Sequence, residues 1–214
     1  MKFTKSKFFS FFTFSLLISE YSIAMTNDDQ DYNNVRILKN ESINVTFRDA
    51  GENDLPALNM LMRASKEAAG GSRYTKEYLD EFMKQLSVTP QVLAVSKIKQ
   101  LFIDEKLAGF YSFYINDKDQ LELDNFFLDP SCLYKGYGKI LWSHCLNTAK
   151  EYKDKECFVL WSSLEAVSFY LKRGCVKIGE KPSPADVSLI QPMFQYNLES
   201  AMKVDNKEVK NVYL

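Results

Sequence analysis

Three runs of apolar, β-branched and aromatic residues follow one another between residues 100 and 129 of the 214-residue chain. They read QLFIDE, LAGFYSFYI and QLELDNFFLD, and only a turn near Glu105 and Lys106 and the segment NDKD separate them. Connections this short join antiparallel neighbours, because a parallel crossover needs about a dozen residues or more. The sequence therefore predicts three consecutive antiparallel strands.

The segments on either side show helical and extended patterns in turn. INVTFRDA predicts a strand, and NDLPALNMLMRASKEA and TKEYLDEFMKQLSV carry apolar residues at helical spacing. After the third strand come a helix from about Tyr137 to Tyr152, a buried strand CFVLWSS, a short helix that stops at Gly174, and two closing strands, CVKIGE and MFQYNL. This order predicts the α/β (α+β) class, with a mixed, mostly antiparallel central sheet of about six to seven strands and helices on both faces.

The amino terminus has the pattern of a secretory signal peptide. Three lysines precede a phenylalanine-rich run of about eleven residues, which is too short to span a bilayer and ends in small residues. We therefore expect a signal peptide over residues 1–24, a polar linker over 25–42, a folded domain over 43–198 and a C-terminal tail over 199–214. The protein is then exported or secreted, whereas translation that starts at Met25 would leave it cytoplasmic.

Charge and cysteine content exclude several classes of function. The 27 basic and 28 acidic residues almost cancel, so we expect no nucleic-acid partner. The four cysteines form no CxxC pair, and the single histidine, His144, has no second histidine beside it, so we expect no metal site. We interpret the cysteines as small buried apolar residues and His144 as structural. A secreted, disulfide-stabilised module is the alternative that the leader and the four cysteines support.

The segment LDPSCLYKGYGKILW leads from the third strand into the following helix. A helix start exposes unpaired backbone N–H groups and the positive end of the helix dipole, and both attract an anion. Gly136 and Gly138 would let a diphosphate approach closely, and Lys135 and Lys139 would add positive charge. By itself the pattern suits a plain turn as well as a phosphate site. It is neither a nucleotide P-loop nor a dinucleotide fingerprint, which needs a third glycine where this chain has Leu141.

Two ordered motifs over residues 43–198 resemble the GNAT superfamily of acyl-CoA-dependent N-acetyltransferases. FFLDP followed by LYKGYG resembles the family's strand end and its [Q/R]-x-x-G-x-[G/A] loop. SLEAVSFYLKRGC resembles the family's second element, N-x-x-A-x-x-F-Y-x-x-x-G, at Ala166, Phe169, Tyr170 and Gly174. The chain therefore resembles this superfamily in two motifs and in the order of its elements.

The resemblance implies an enzyme that transfers an acetyl group from acetyl-CoA to a primary amine, of a small molecule or a protein, by direct attack in a ternary complex. Leu133 stands where the family has Gln or Arg, and Ser163 stands where Asn is common. These departures support the alternative, a catalytically degenerate protein of this fold that binds CoA or another protein. We expect a monomer or homodimer, with no membrane span in the mature chain. An exported enzyme must also reach a compartment that contains acetyl-CoA.

The resemblance also assigns roles to residues. Tyr170 is the candidate acid that protonates the leaving thiolate. Glu122 and Asp124, which alternate with two leucines and so share a strand face, are the candidate bases. The segments ASKEAAGGSRY and KPSPADVSLIQP would build the acceptor site. The residues expected to bind acetyl-CoA are Phe127, Leu128, Leu133, Tyr134, Lys135, Gly136, Tyr137, Gly138, Lys139, Ser163 and Phe169.

Overall fold

A seven-stranded sheet organises residues 43–199, the part of the chain that this computed structural model describes. The expected signal peptide and linker, and the tail beyond residue 199, lie outside the described residues. The order across the sheet is β1-β2-β3-β4-β5-β7-β6, and every neighbouring pair is antiparallel except β4 and β5. The strands are β1 (Val45–Asp49), β2 (Lys97–Ile103), β3 (Lys106–Ile115), β4 (Leu121–Leu128), β5 (Cys157–Trp161), β6 (Val176–Pro182) and β7 (Ile190–Asn197).

The three central strands form as the short connections predict. β2 and β3 meet at a tight turn in which Asp104 and Glu105 both have positive φ, 48° and 64°. A two-residue turn with this backbone twist is the one that suits a hairpin. The predicted class is therefore confirmed as a mixed, mostly antiparallel sheet with seven strands.

Five α-helices cover the two faces of the described sheet. One face carries α1 (Leu55–Gly70), α2 (Lys76–Leu86) and α3 (Pro90–Val95), and the other carries α4 (Tyr137–Ala149) and α5 (Val167–Lys172). The sequence patterns missed α3, whose single apolar turn is too short to show a helical period. None of the helices in this part of the chain is long and apolar enough to cross a membrane.

Each face has its own apolar core. On the α1 face, Leu58 and Met62 pack with Phe82 and Phe110. On the α4 face the core is largely aromatic, and the Trp142 ring lies 5.8 Å from that of Phe158 between centroids. Burial of these large apolar side chains, at about 1.5–3 kcal/mol each, is the main force that holds helices to both faces.

β4 and β5 pair along only part of their length. Leu121, Glu122 and Leu123 oppose residues 158–160, and no pairing continues beyond them. The register between β3 and β4 also shifts, so that Asp124 is an extra residue without a partner on β3. Such a bulge bends a strand and redirects its side chains. The two strands therefore separate after Leu123 and leave a groove between them.

Candidate active site

The groove contains a cavity of about 280 Å³ that opens between β4 and β5. α1 and α2 form one wall, through Met62 and Phe82 among others. The floor is the end of β4 up to Phe127, and the far wall is made by Trp161 and by the loops after β5 and β6. A cavity of this size with both apolar and polar walls is typical of a site for a small molecule.

Two carboxylates line this cavity. Glu122 is buried and accepts a hydrogen bond from Asn116 Nδ2 at 2.8 Å. Asp124 is accessible to solvent within the cavity, but the surrounding walls displace much of the bulk water. This burial, assisted by the charge of Glu122, raises the pKa of Asp124 to about 6, even though a hydrogen bond from Asn125 and the charge of Lys181 oppose the shift.

The sequence suggested that the two carboxylates share a strand face, and both line the cavity, on a strand that is bulged at Asp124. The bulge at Asp124 interrupts the alternation of β4, so that Asn125, rather than Asp124, lies opposite Ser112. Asn125 Nδ2 donates both to Ser112 Oγ and to Asp124 Oδ2, each at 2.8 Å. The cavity therefore receives both carboxylates, and the bulge places Asn125 where it can donate to Asp124.

Tyr170 lies at the inner end of the cavity. Only 6% of the residue is exposed, and its ring packs edge-on against Phe126 and Trp142. Burial raises the pKa of the Tyr170 hydroxyl, and the nearby thiols of Cys145 and Cys175 raise it further. The residue is therefore a neutral phenol at physiological pH, the form in which it can donate a proton.

The loop before α4 places the two glycines for different reasons. Gly136 precedes the helix with φ of 86°, a left-handed conformation that favours glycine, and no atom lies within 4 Å of where its Cβ would stand. A Cβ on Gly138 would lie 3.3 Å from the ring of Phe169, so this glycine lets α5 pack closely on α4. No side chain caps the first turn of α4, and although the Lys139 N–H bonds to the Gly136 carbonyl at 2.9 Å, the N–H groups before it have no side-chain acceptor and suit an anion.

The expected acetyl-CoA residues fall into three groups. Phe127 and Ser163 line the cavity together with the three candidate catalytic residues. Leu128 and Phe169 pack beside Gly138 just outside the cavity, and the rest form the loop and first turn of α4. Tyr134 is fully exposed there, with a positive φ of 59°. Those loop and first-turn residues are Leu133, Tyr134, Lys135, Gly136, Tyr137, Gly138 and Lys139.

A further charged cluster beside the cavity was not predicted from the sequence. Lys66 of α1 donates to the Tyr74 hydroxyl at 3.0 Å, and that hydroxyl donates to Glu165 Oε2 at 2.8 Å. Arg73 forms an ion pair with the same carboxylate. Lys66 and Tyr74 belong to a segment predicted to build the acceptor site, and Glu165 belongs to the second family motif. The sequence could not indicate that these two segments meet.

His144 and the cysteines take no part in this cavity. His144 stacks on Phe47, with 3.6 Å between ring centroids, and its Nδ1 bonds to the Tyr111 hydroxyl at 2.7 Å. All four cysteines are free thiols. Within residues 43–199, no three His, Cys, Asp or Glu side chains are grouped as metal ligands.

Several solved acetyltransferase structures share this fold. The PaiA N-acetyltransferase from Thermoplasma acidophilum, in complex with coenzyme A, is 20% identical and has a TM-score of 0.59, over 72% of this chain and 98% of its own. YncA from Salmonella typhimurium, a putative acetyltransferase with its cofactor acetyl-CoA, is 17% identical with a TM-score of 0.52, over 72% and 94% of the two chains. At these identities the similarity concerns the fold alone.

Sequence comparison adds an independent finding. A search of curated proteins finds no match. The profile of the Acetyltransferase (GNAT) family, however, matches residues 58–175, which run from the first turn of α1 to the residue before β6. This stretch contains both motifs and the strands that open around the cavity. The chain therefore belongs to the GNAT family of acetyltransferases.

Proposed function

We propose that this protein transfers an acetyl group from acetyl-CoA to a primary amine by direct attack in a ternary complex. The observation that carries the proposal is the separation of β4 and β5 after Leu123. This separation leaves a cavity lined by Asp124, Glu122 and Tyr170. The domain also contains the start of α4, which has no side-chain cap. An acid, a base and an anion-binding helix start are the three parts that such a transfer needs.

The start of α4 suits the diphosphate of acetyl-CoA. Its first N–H groups have no side-chain cap, and the space on the Cβ side of Gly136 is open. Lys135 and Lys139 are exposed beside it and would add positive charge. Backbone amides supply these bonds, so Leu133 need not be the glutamine or arginine that is usual in the family. When bound, acetyl-CoA supplies the activated acetyl group.

Asp124 is the base that the structure favours. A pKa of about 6 leaves the carboxylate ionised at neutral pH, yet makes it a stronger base than an ordinary aspartate. It would remove a proton from the acceptor ammonium, directly or through a water molecule. Glu122 lies beside it, and its negative charge helps to keep that pKa high.

The free amine then takes the acetyl group from the thioester. The free amine forms a C–N bond to the thioester carbonyl carbon while the C–S bond breaks, and Tyr170 donates its proton to the leaving thiolate. The acylated nitrogen then loses its extra proton to the Tyr170 phenolate, which restores the neutral phenol and leaves a neutral amide. A backbone N–H of β4 near Phe127 or Leu128 would polarise the carbonyl oxygen. The products are an N-acetylated amine and free CoA.

The test measures thiol release from acetyl-CoA with a panel of small amines. We expect turnover by the natural protein and a fall in kcat of at least about 100-fold in Tyr170→Phe, the usual effect of losing a general acid. The matched control is Tyr152→Phe, because Tyr152 packs on Phe113 and does not line the cavity. This variant should turn over at the rate of the natural protein.

Binding of CoA is measured in parallel by calorimetry. Tight binding without turnover on any amine would contradict the proposed enzyme and support the degenerate alternative, to which Leu133 and Ser163 point. Equal turnover by both tyrosine variants would remove Tyr170 from the mechanism.

A further inference from the structure

Lys66 is a buried cation that the proposed mechanism does not use. Only 5% of the residue is exposed, and its Nζ lies over three aromatic rings, 4.3 Å from the centroid of Tyr74, 5.4 Å from Phe82 and 5.8 Å from Tyr78. Burial lowers its pKa to about 8, with the charge of Glu165 opposing that shift. The side chain is therefore still mostly protonated at pH 7, and its charge is kept inside the protein.

The hydrogen bonding of Lys66 is incomplete. An ammonium group has three N–H donors. Within residues 43–199 the structure gives Nζ one acceptor, the hydroxyl of Tyr74. Lys66 also lines the 280 Å³ cavity. A buried cation with unused donors at the wall of a cavity is a site for an anionic group, because an anion there would supply the missing acceptors.

Groups of opposite charge line the cavity, Asp124 and Glu122 from β4 and Lys66 from α1. The charges that act on Asp124 are those of Glu122 and Lys181, whereas the charges that act on Lys66 are those of Glu165 and Arg73. The two groups thus sit in separate electrostatic environments along one cavity. A ligand that pairs with both residues carries a positive group for Asp124 and a negative group for Lys66.

We propose that the acceptor is a small amine that also carries a carboxylate, with its amine at Asp124 and its carboxylate on Lys66. This inference rests on the proposed function and names its substrate class. Tyr74 and Glu165 are positioning residues, because they hold the ammonium of Lys66 at the cavity wall: Lys66 donates to the Tyr74 hydroxyl, which in turn donates to Glu165. The three aromatic rings around Lys66 leave little room for water at its ammonium group, so a small anionic group such as a carboxylate suits this site.

The experiment compares acceptors that differ only in the carboxylate. The pairs are 4-aminobutyrate with butylamine, 5-aminopentanoate with pentylamine, and phenylalanine with phenethylamine. For at least one pair we expect kcat/KM of the natural protein to favour the acid by about 10- to 100-fold, the range for a charge-assisted hydrogen bond.

In Lys66→Met this preference should fall to about onefold, chiefly through a higher KM for the acid, while the carboxylate-free amine is little changed. Lys66→Arg keeps the charge and should restore part of the preference. Lys84→Met is the control, because Lys84 is a highly exposed lysine on α2. Equal use of acid and amine by the natural protein, or an equal loss for both in Lys66→Met, would overturn the proposal and leave Lys66 a structural residue.

A binding measurement separates this inference from the proposed function. Thermal unfolding of each full-length variant, with CoA present, is followed with and without 4-aminobutyrate, 5-aminopentanoate and phenylalanine. At least one acid should raise Tm of the natural protein but not of Lys66→Met, even if no amine is acetylated. Turnover without any effect of the carboxylate contradicts only the substrate class, whereas carboxylate binding without turnover contradicts only the transfer.

Discussion

β4 and β5 differ sharply between the part where they pair and the part where they separate. At the paired end, Leu121 and Phe158 are completely buried, and a ladder of hydrogen bonds joins the strands. At the open end, three residues further along, Asp124 faces a cavity and Tyr170 lies at its inner wall. Two strands thus provide a rigid core and a reactive site within about three residues of each other, because one bulge and one lost pairing separate them. Strand pairing and burial stabilise the first region, whereas the absence of pairing in the second leaves a cavity in which a substrate can react.

The largest test of this contrast is Phe158→Ala at the paired end. Phe158 is fully buried between Phe113 and Tyr196, so its removal leaves a cavity that neighbours cannot fill. We expect the free energy of unfolding to fall by about 3–5 kcal/mol. Denaturant unfolding measures it. A loss below about 1 kcal/mol would show that the paired end is not tightly packed.

Asp124→Asn tests the open end. Loss of the base should lower kcat/KM by about 100- to 10,000-fold at pH 7. Because the base must be ionised, activity of the natural protein should rise with pH through about 6, the pKa of Asp124. The acidic limb of the pH profile should disappear in the variant. An unchanged limb would assign it to another group. In Glu122→Gln, which removes a charge that raises the pKa of Asp124, the limb should remain but move to lower pH.

His144, on the α4 face and outside the cavity, provides a test with a smaller expected effect, on stability and not on activity. Burial, together with the charge of nearby Lys99, lowers its pKa to about 4. The unfolded chain, with a histidine pKa near 6.5, then binds the proton more readily between about pH 6.5 and 4. Stability from this group is therefore present above pH 6.5 and lost as the pH falls, by on the order of 2 kcal/mol at pH 5.

His144→Gln should remove this loss, so we expect the difference in unfolding free energy between the two proteins to shrink from pH 7 to pH 5. Asp124 acts in the other sense, since its pKa is higher in the folded than in the unfolded chain and its ionisation lowers stability as the pH rises through about 6. Asp124 is present in both proteins, so its contribution cancels when the unfolding free energy of His144→Gln is subtracted from that of the natural protein. A pH-independent difference would mean that His144 is not held neutral.

The sequence predicted much of the fold because its signals are local. The hairpin turns, the apolar stripes of α1 and α2, and the loop before α4 all appeared where short-range patterns placed them. α3 was missed since six residues cannot show a helical period. Alternation suggested one strand face for Glu122 and Asp124, and both line the cavity, but it could not show the bulge at Asp124, which depends on the partner strand.

For the candidate site, the sequence indicated Tyr170, Gly136 and the acidic residues of β4 through two motifs. It included Lys66 only within a segment expected to build the acceptor site and did not single it out, because its role depends on meeting Glu165 from a segment about 100 residues away. A lysine in an amphipathic helix looks solvated until the neighbours that bury it are known. The residues that complete the cavity are therefore the ones that local patterns do not reveal.

By itself, then, the sequence determined the family, the class of sheet and the loop at the start of α4, since turn chemistry, periodicity and motif spacing are properties of neighbouring residues. Only the tertiary structure decided where β4 and β5 separate, which carboxylate has a raised pKa and which lysine is buried beside the cavity. Burial and electrostatic shifts depend on distances across the fold, because desolvation and Coulomb interactions arise from atoms that are close in space, however far apart they are in the chain.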